Sequence, residues 1–304
     1  MDKLNQPKKL AQSKFIVWSL MITITLIWGY TWVLMKASLD YMGPFTFSSF
    51  RFGTGALTLL LIVWITRLGF PPKRYVKPLM AIGFLQTTVV FTLVMFALMF
   101  VEAGKSSVLL YSMPVWSSLF AVKWLGEPLT RWRTAGLVSG LLGLLTILGW
   151  DIWLGQSLAV IAGELLIILS AVSWAGANIL YRLKVSDLPK IQSSAFQMLF
   201  GVIGIFLATL VMEGGQSIDF TAESIYYIMF SGVLASALCF TVWYVIMSTV
   251  DMVTATISTL LVPMFGLLFS HLLLNEALTA SIMAGSTLIL LGIALTQIKI
   301  EPKA

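Results

Sequence analysis

One stretch of this chain occurs twice. Ala97 to Thr130, ALMFVEAGKSSVLLYSMPVWSSLFAVKWLGEPLT, returns as Ile246 to Thr279, IMSTVDMVTATISTLLVPMFGLLFSHLLLNEALT, at an offset of 149 residues. In each copy an acidic residue (Glu102, Asp251) precedes an apolar run with a central proline (Pro114, Pro263), and a glutamate (Glu127, Glu276) opens a final x-Leu-Thr. The match extends outward, with Gly83, Phe91, Thr92, Gly136 and Gly143 answered by Gly232, Phe240, Thr241, Gly285 and Gly292. Upstream the offset becomes 146, pairing Trp28 with Trp174, Lys36 with Arg182, Phe50 with Phe196 and Gly55 with Gly201. The extra residues of the second copy therefore fall near Glu213 to Glu223. A repeat this long is no solenoid unit, and the chain must fold as two copies of one bundle packed on each other.

The surroundings of that bundle follow from composition. With 59% hydrophobic and 11% charged residues and a mean hydropathy of +0.95, the chain lacks the polar surface a protein of 304 residues would present to water. The net charge of +6 sits in short loops between apolar runs, where it sets orientation and offers no nucleic-acid surface. Cys239 is the single cysteine, so neither a disulfide framework nor a thiolate cluster is expected. The first apolar run follows Lys8, Lys9 and Lys14 but lacks an Ala-x-Ala end, and is read as an uncleaved span.

Crossing a bilayer takes about 20 helical residues. That ruler predicts an all-α membrane protein of ten transmembrane helices: Phe15 to Met35, Pro44 to Thr66, Pro78 to Phe100, Ser106 to Val122, Arg133 to Trp150, Ala162 to Tyr181, Gln192 to Met212, Ser224 to Met247, Val253 to Leu273 and Thr279 to Gln297. Ile152 to Ile161 is expected as an interfacial loop. With the N-terminus inside, the cytoplasmic segments hold sixteen Lys and Arg and the outer loops only Lys36 and Lys105, so both termini are expected to be cytoplasmic. Five spans is an odd number. The second copy (residues 151–304) is therefore expected to be inverted relative to the first (residues 1–150), with a ligand site near the midplane between them.

Trp28-Gly29, Lys36, Pro44 and Arg51-Phe52, then the Ala-x-x-acid-Ala run into Pro114 and Leu125-Gly126-Glu127-x-Leu-Thr, resemble the EamA-type repeat of the drug/metabolite transporter superfamily. The second copy resembles it too, through Gly163-Glu164, Trp174, Pro263 and Asn275-Glu276-Ala277-Leu278-Thr279. The resemblance covers nearly the whole chain. It departs at Gln197, which stands where Arg51 does in the first copy, and at Ala175, which answers Gly29. What it implies is a cell-membrane secondary transporter with a central cavity lined mainly by helices 1, 3, 4, 6, 8 and 9, exporting amino acids or other small metabolites. Import of sugars or nucleotide-like compounds on the same fold is the alternative, and a non-transporting membrane scaffold is a further one.

The residues themselves narrow the candidates. Arg51 lies about two turns inside helix 2. It either snorkels outward as a brace or binds a carboxylate, from a substrate or from Glu164. Glu164 is expected in the first turn of helix 6, favoured by the helix dipole, leaving no other Asp or Glu inside a span. Glu127 and Glu276 read as helix caps, and His271 lacks the partners a metal needs. Pro114 and Pro263 are candidate gating kinks. Thr25, Trp28 and Trp32 share one helical face, and Ala171, Trp174 and Asn178 repeat the pattern. With Gln86, Thr87, Ser107, Tyr111, Trp243 and Tyr244 they give an expected lining for an amphipathic metabolite, while Trp18, Trp150 and Trp153 read as interfacial belt. The expected partners are a small-molecule substrate and the lipid bilayer, with no nucleic acid and a homodimer left open; no cofactor or metal is expected. One histidine, one cysteine and no paired mid-span acids argue against an intramembrane enzyme.

Overall fold

The computed structural model describes residues 6–126, 130–153, 155–249, 261–296 and 298. Within them the side chains at 6–17, 118, 133, 148–153, 244, 246–249 and 296 lie outside the description. Every described element is helical. In chain order they are α1 (Gln6–Ala37), α2 (Pro44–Ile65), α3 (Lys73–Ala97), α4 (Ala103–Leu125), α5 (Arg131–Trp153), α6 (Leu158–Lys184), α7 (Lys190–Met212), α8 (Ala222–Met229 continuing to Cys239–Thr249), α9 (Leu261–Leu274) and α10 (Ala280–Thr296). Among the described residues seven of them contain a stretch long and apolar enough to cross a membrane, and the described parts of the other three include the apolar helical stretches Thr134–Ile147, Leu261–Leu274 and Ala280–Leu295. Helices satisfy their own backbone polar groups, which hydrocarbon requires. The outer faces suit that solvent as well: on α2 Leu57, Leu61 and Trp64 are 70%, 54% and 75% exposed along one helical face. The chain is a multi-pass membrane protein.

Local chemistry sets the helix ends. Pro44 opens α2, where its missing N–H costs nothing, and the Glu213 carboxylate accepts the next two free N–H groups, from Phe45 at 2.9 Å and Thr46 at 2.7 Å. Glu276 does the same for α4, accepting from Ala103 at 2.6 Å and Gly104 at 2.8 Å. Thr221 and Ser224 form a capping box at the start of α8, and Gly126 ends α4 at φ +66°. Lys36 turns inward instead of facing water. Its ammonium donates to the carbonyls of Leu98 and Val101 at the end of α3.

Three expectations need correction. Helix α6 begins at Leu158, with Ser157 accepting from Val160 N at 3.3 Å, and α5 runs on to Trp153, so most of Ile152 to Ile161 is helical. That shift carries Glu164 to the seventh residue of α6, almost two turns inside, away from the orphan N–H groups of the first turn. Helix α4 is also two segments, Ala103–Leu110 and Met113–Leu125, separated at Tyr111 and Ser112. Pro114 therefore sits in the first turn of the second segment and does not kink an unbroken helix.

The two copies meet through contacts that interchange when the copies are swapped. Gly83 of α3 abuts Gln197 and Gly201 of α7; Gly232 of α8 abuts Arg51 and Thr54 of α2. A Cβ on Gly55 would lie 3.0 Å from both the Gly232 oxygen and Ser236, and one on Gly201 would lie 2.6 Å from the Gly83 oxygen and strike Thr87. Helices α5 and α10 cross the same way, with Ser139 Oγ donating to the carbonyl of its own repeat-equivalent, Leu288, at 2.8 Å. Small residues let these backbones approach closely, which is how helices pack where hydrophobic exclusion gives no drive. Both α3 and α8 widen into π-turns here, at Phe84–Val89 and Phe230–Leu238. A π-turn leaves a carbonyl outside the α-helical ladder. One is taken by Trp28 Nε1, donating to Ala235 O at 2.9 Å, and another by Ser173 Oγ, donating to Leu85 O at 2.8 Å.

Candidate functional site

Helices α1, α2, α3, α4, α6 and α8 enclose a cavity of about 30 Å³, lined by Trp28, Thr31, Trp32, Met35, Arg51, Phe91, Leu110, Tyr111, Trp174 and Phe240. That is room for about two water-sized groups, a space that fits a carboxylate head. Five of the predicted site residues, Trp28, Trp32, Arg51, Tyr111 and Trp174, line it together. Trp28 and Trp174 are repeat equivalents, as are Phe91 and Phe240, so each copy contributes the same two rings. The rings meet edge to face, Trp28 on Phe240 at 5.9 Å and Tyr111 on Trp174 at 6.2 Å.

Sequence reading missed Thr31, Met35, Phe91, Leu110 and Phe240. A signal was present for most of them. Thr31 and Met35 continue the helical face of Trp28 and Trp32, and Phe91 with Phe240 is a duplicated pair. Other expected lining residues stand off. Trp243 packs on Trp28 at 6.2 Å as a second layer, and Asn178 Nδ2 donates to Met113 Sδ at 3.2 Å. Gln86 and Thr87 are buried in the α3 π-turn, where Thr87 donates to Gln197; Ser107 donates to the Gly104 carbonyl and Thr25 to that of Ile22. Pro263 is buried in α9. His271 Nδ1 lies 2.9 Å from the Glu276 carbonyl. The Tyr244, Trp150 and Trp153 side chains and all of Glu127 lie outside the described residues.

Arg51 corrects the snorkelling reading and the pairing with Glu164. It is 3% exposed and does not snorkel; its head lies over the rings of Phe52 and Phe91 at 4.9 and 4.8 Å. Nε donates to Ser236 Oγ at 3.2 Å and Nη1 to Met35 Sδ at 2.9 Å. Glu164 is no partner of Arg51 but pairs with Lys105 at 3.0 Å, tying α6 of the second copy to α4 of the first. Glu164 is fully buried and Lys105 8% exposed, so an acid and a second base do lie inside the apolar helices. None of these charges is duplicated: Gln197 stands at the repeat position of Arg51, Thr254 at that of Lys105 and Trp18 at that of Glu164.

Comparison with known proteins gives the same outline. The model of the EamA-like transporter family matches residues 16–149 and again 161–298. The uncharacterized transporter YoaV of Bacillus subtilis is 32% identical over 273 residues, spanning 90% of this chain and 93% of that protein. A probable amino-acid metabolite efflux pump of Escherichia coli is 26% identical over 284 residues, spanning 90% and 92%. A solved crystal structure at 18% identity superposes with a TM-score of 0.67, covering 92% of this chain and 94% of its own, which speaks for the fold. These matches point to transport and not to catalysis: the chain belongs to the EamA-like transporter family.

Proposed function

We propose that this protein is a ten-span secondary transporter of the cell membrane, with both termini cytoplasmic and its copies (residues 1–150 and 151–304) inverted. It exports small metabolites, such as amino acids or related compounds, by alternating access. The observation that carries this reading is the cavity built from equivalent residues of both copies, Trp28 with Trp174 and Phe91 with Phe240, around a single buried cation, Arg51. A site shared by two copies is exposed to one side or the other when one copy rocks against the other. The aromatic walls take an apolar body and the guanidinium takes an acidic head. Efflux direction draws support from the names of relatives.

The test is a metabolite screen of sealed vesicles with and without the protein, followed by Arg51→Lys in the same vesicles. Lysine keeps the charge and loses the planar fork. Transport of the identified compound falls at least tenfold while the amount of folded protein holds. Equal movement of every metabolite with and without the protein contradicts the proposal.

A further inference from the structure

The ten described residues that line the cavity carry one formal charge, that of Arg51. A guanidinium has five N–H donors in a rigid fork. Of these, one reaches a hydroxyl at 3.2 Å and one a thioether, a weak acceptor, at 2.9 Å; Nη2 meets no acceptor among the described residues. Among the described residues no acid lines the cavity. The other buried carboxylates are engaged elsewhere, Glu164 with Lys105, and Glu213 with the backbone N–H groups that open α2.

Resting on the transport reading above, but narrowing its cargo from amino acids to their deaminated relatives, we propose that this site selects monoanionic carboxylates with an apolar or aromatic body and no ammonium group. A 2-oxo acid or an arylacetate fits; the corresponding amino acid does not. A carboxylate laid on the free edge of the guanidinium forms two parallel charge-assisted hydrogen bonds and neutralises a cation held out of water. A zwitterion makes the same pair but brings an ammonium that must shed its water with no carboxylate to receive it. Ring faces attract cations, but the Phe91 face already holds Arg51 at 4.8 Å, and a second cation in so small a space is repelled by the first. An amine without a carboxylate meets only that repulsion. Export of a monoanion also moves one negative charge outward per cycle, which an inside-negative membrane favours about 50-fold per 100 mV.

The experiment uses full-length protein in proteoliposomes loaded with phenylpyruvate, phenylalanine or phenethylamine, which share a ring and differ in charge. Phenylpyruvate leaves at least tenfold faster than the other two, and its efflux rises when valinomycin and a potassium gradient make the interior negative. Arg51→Gln abolishes that preference and Arg51→Lys restores part of it, with thermal melts reporting the folded fraction of each variant. Phenylalanine leaving as fast as phenylpyruvate overturns the charge selection while transport stands. Should phenylpyruvate quench the tryptophan fluorescence competitively and yet not move, selection stands and the transport reading fails. Absence of both quenching and movement overturns the two together.

Discussion

Arg51 and Gln197 occupy the same socket in the two halves of the molecule: Arg51 Nε donates to Ser236 Oγ and Thr87 Oγ1 donates to Gln197 Oε1, both at 3.2 Å. Ser236 and Thr87 are themselves repeat equivalents, so duplication kept the packing and changed the charge. Arg51 faces the cavity, while Gln197 Nε2 is buried with no partner among the described residues. An amide donor so placed already costs about 1–3 kcal/mol. Gln197→Leu removes that orphan donor but strands the Thr87 hydroxyl, so the two terms offset and the melting temperature should change little, with transport retained. A strong loss of either shows that the amide has a partner in another state.

The glycine contacts predict a matched pair of stability losses. Gly55→Ala and Gly201→Ala each push a methyl into the facing helix and should cost about 1–3 kcal/mol. Gly53→Ala, on the same helix as Gly55 but with nothing within 4 Å of the new methyl, should be neutral or gain about 1 kcal/mol from helix propensity. Thermal unfolding of the three variants in one detergent checks this.

Trp28 and Trp174 line one cavity, yet only Trp28 has its indole N–H committed to a backbone carbonyl. Trp28→Phe keeps a ring and strands Ala235 O in the π-turn, at about 1–3 kcal/mol of stability. Trp174→Phe should melt near the parent and change substrate affinity instead. Melting curves read beside substrate quenching separate the two effects, and identical behaviour of the variants counts against the assignment.

The Lys105–Glu164 pair makes a double-mutant cycle informative. Removing one partner by Lys105→Met or Glu164→Leu takes the 3.0 Å ion pair from a buried charge and should cost about 3–5 kcal/mol. The double variant should recover most of that loss. If the single losses simply add, the two residues are not coupled.

Much of the fold was legible because duplication repeats its own signals: glycine positions, the all-helical membrane class and the facing of Trp28 and Trp174 all follow from the register. What failed was local or distant. Helix α6 was started at Ala162 by matching it to the first helix, although Ser157 carried the cap signal that marks its true start. The three-dimensional partner of Lys105 lies 59 residues away, and nothing in the spacing of single residues announces a pairing at that range. Phe91 and Phe240 were seen as repeat matches and not as lining, since an aromatic on an apolar helix looks the same facing lipid or cavity. The π-turns had no readable signature, because a single extra residue per turn leaves composition unchanged.

Alternating access through the shared cavity is the central claim, and reagent accessibility tests it most directly. Thr31 lines the cavity and is 2% exposed. In sealed vesicles of Thr31→Cys, with Cys239→Ser to remove the native thiol, a membrane-impermeant maleimide should react slowly when added from either face, as the cavity opens to each in turn. Labelling from both faces is the result the account predicts. Labelling only by a lipid-soluble maleimide, with the impermeant reagent silent on both sides, would contradict it.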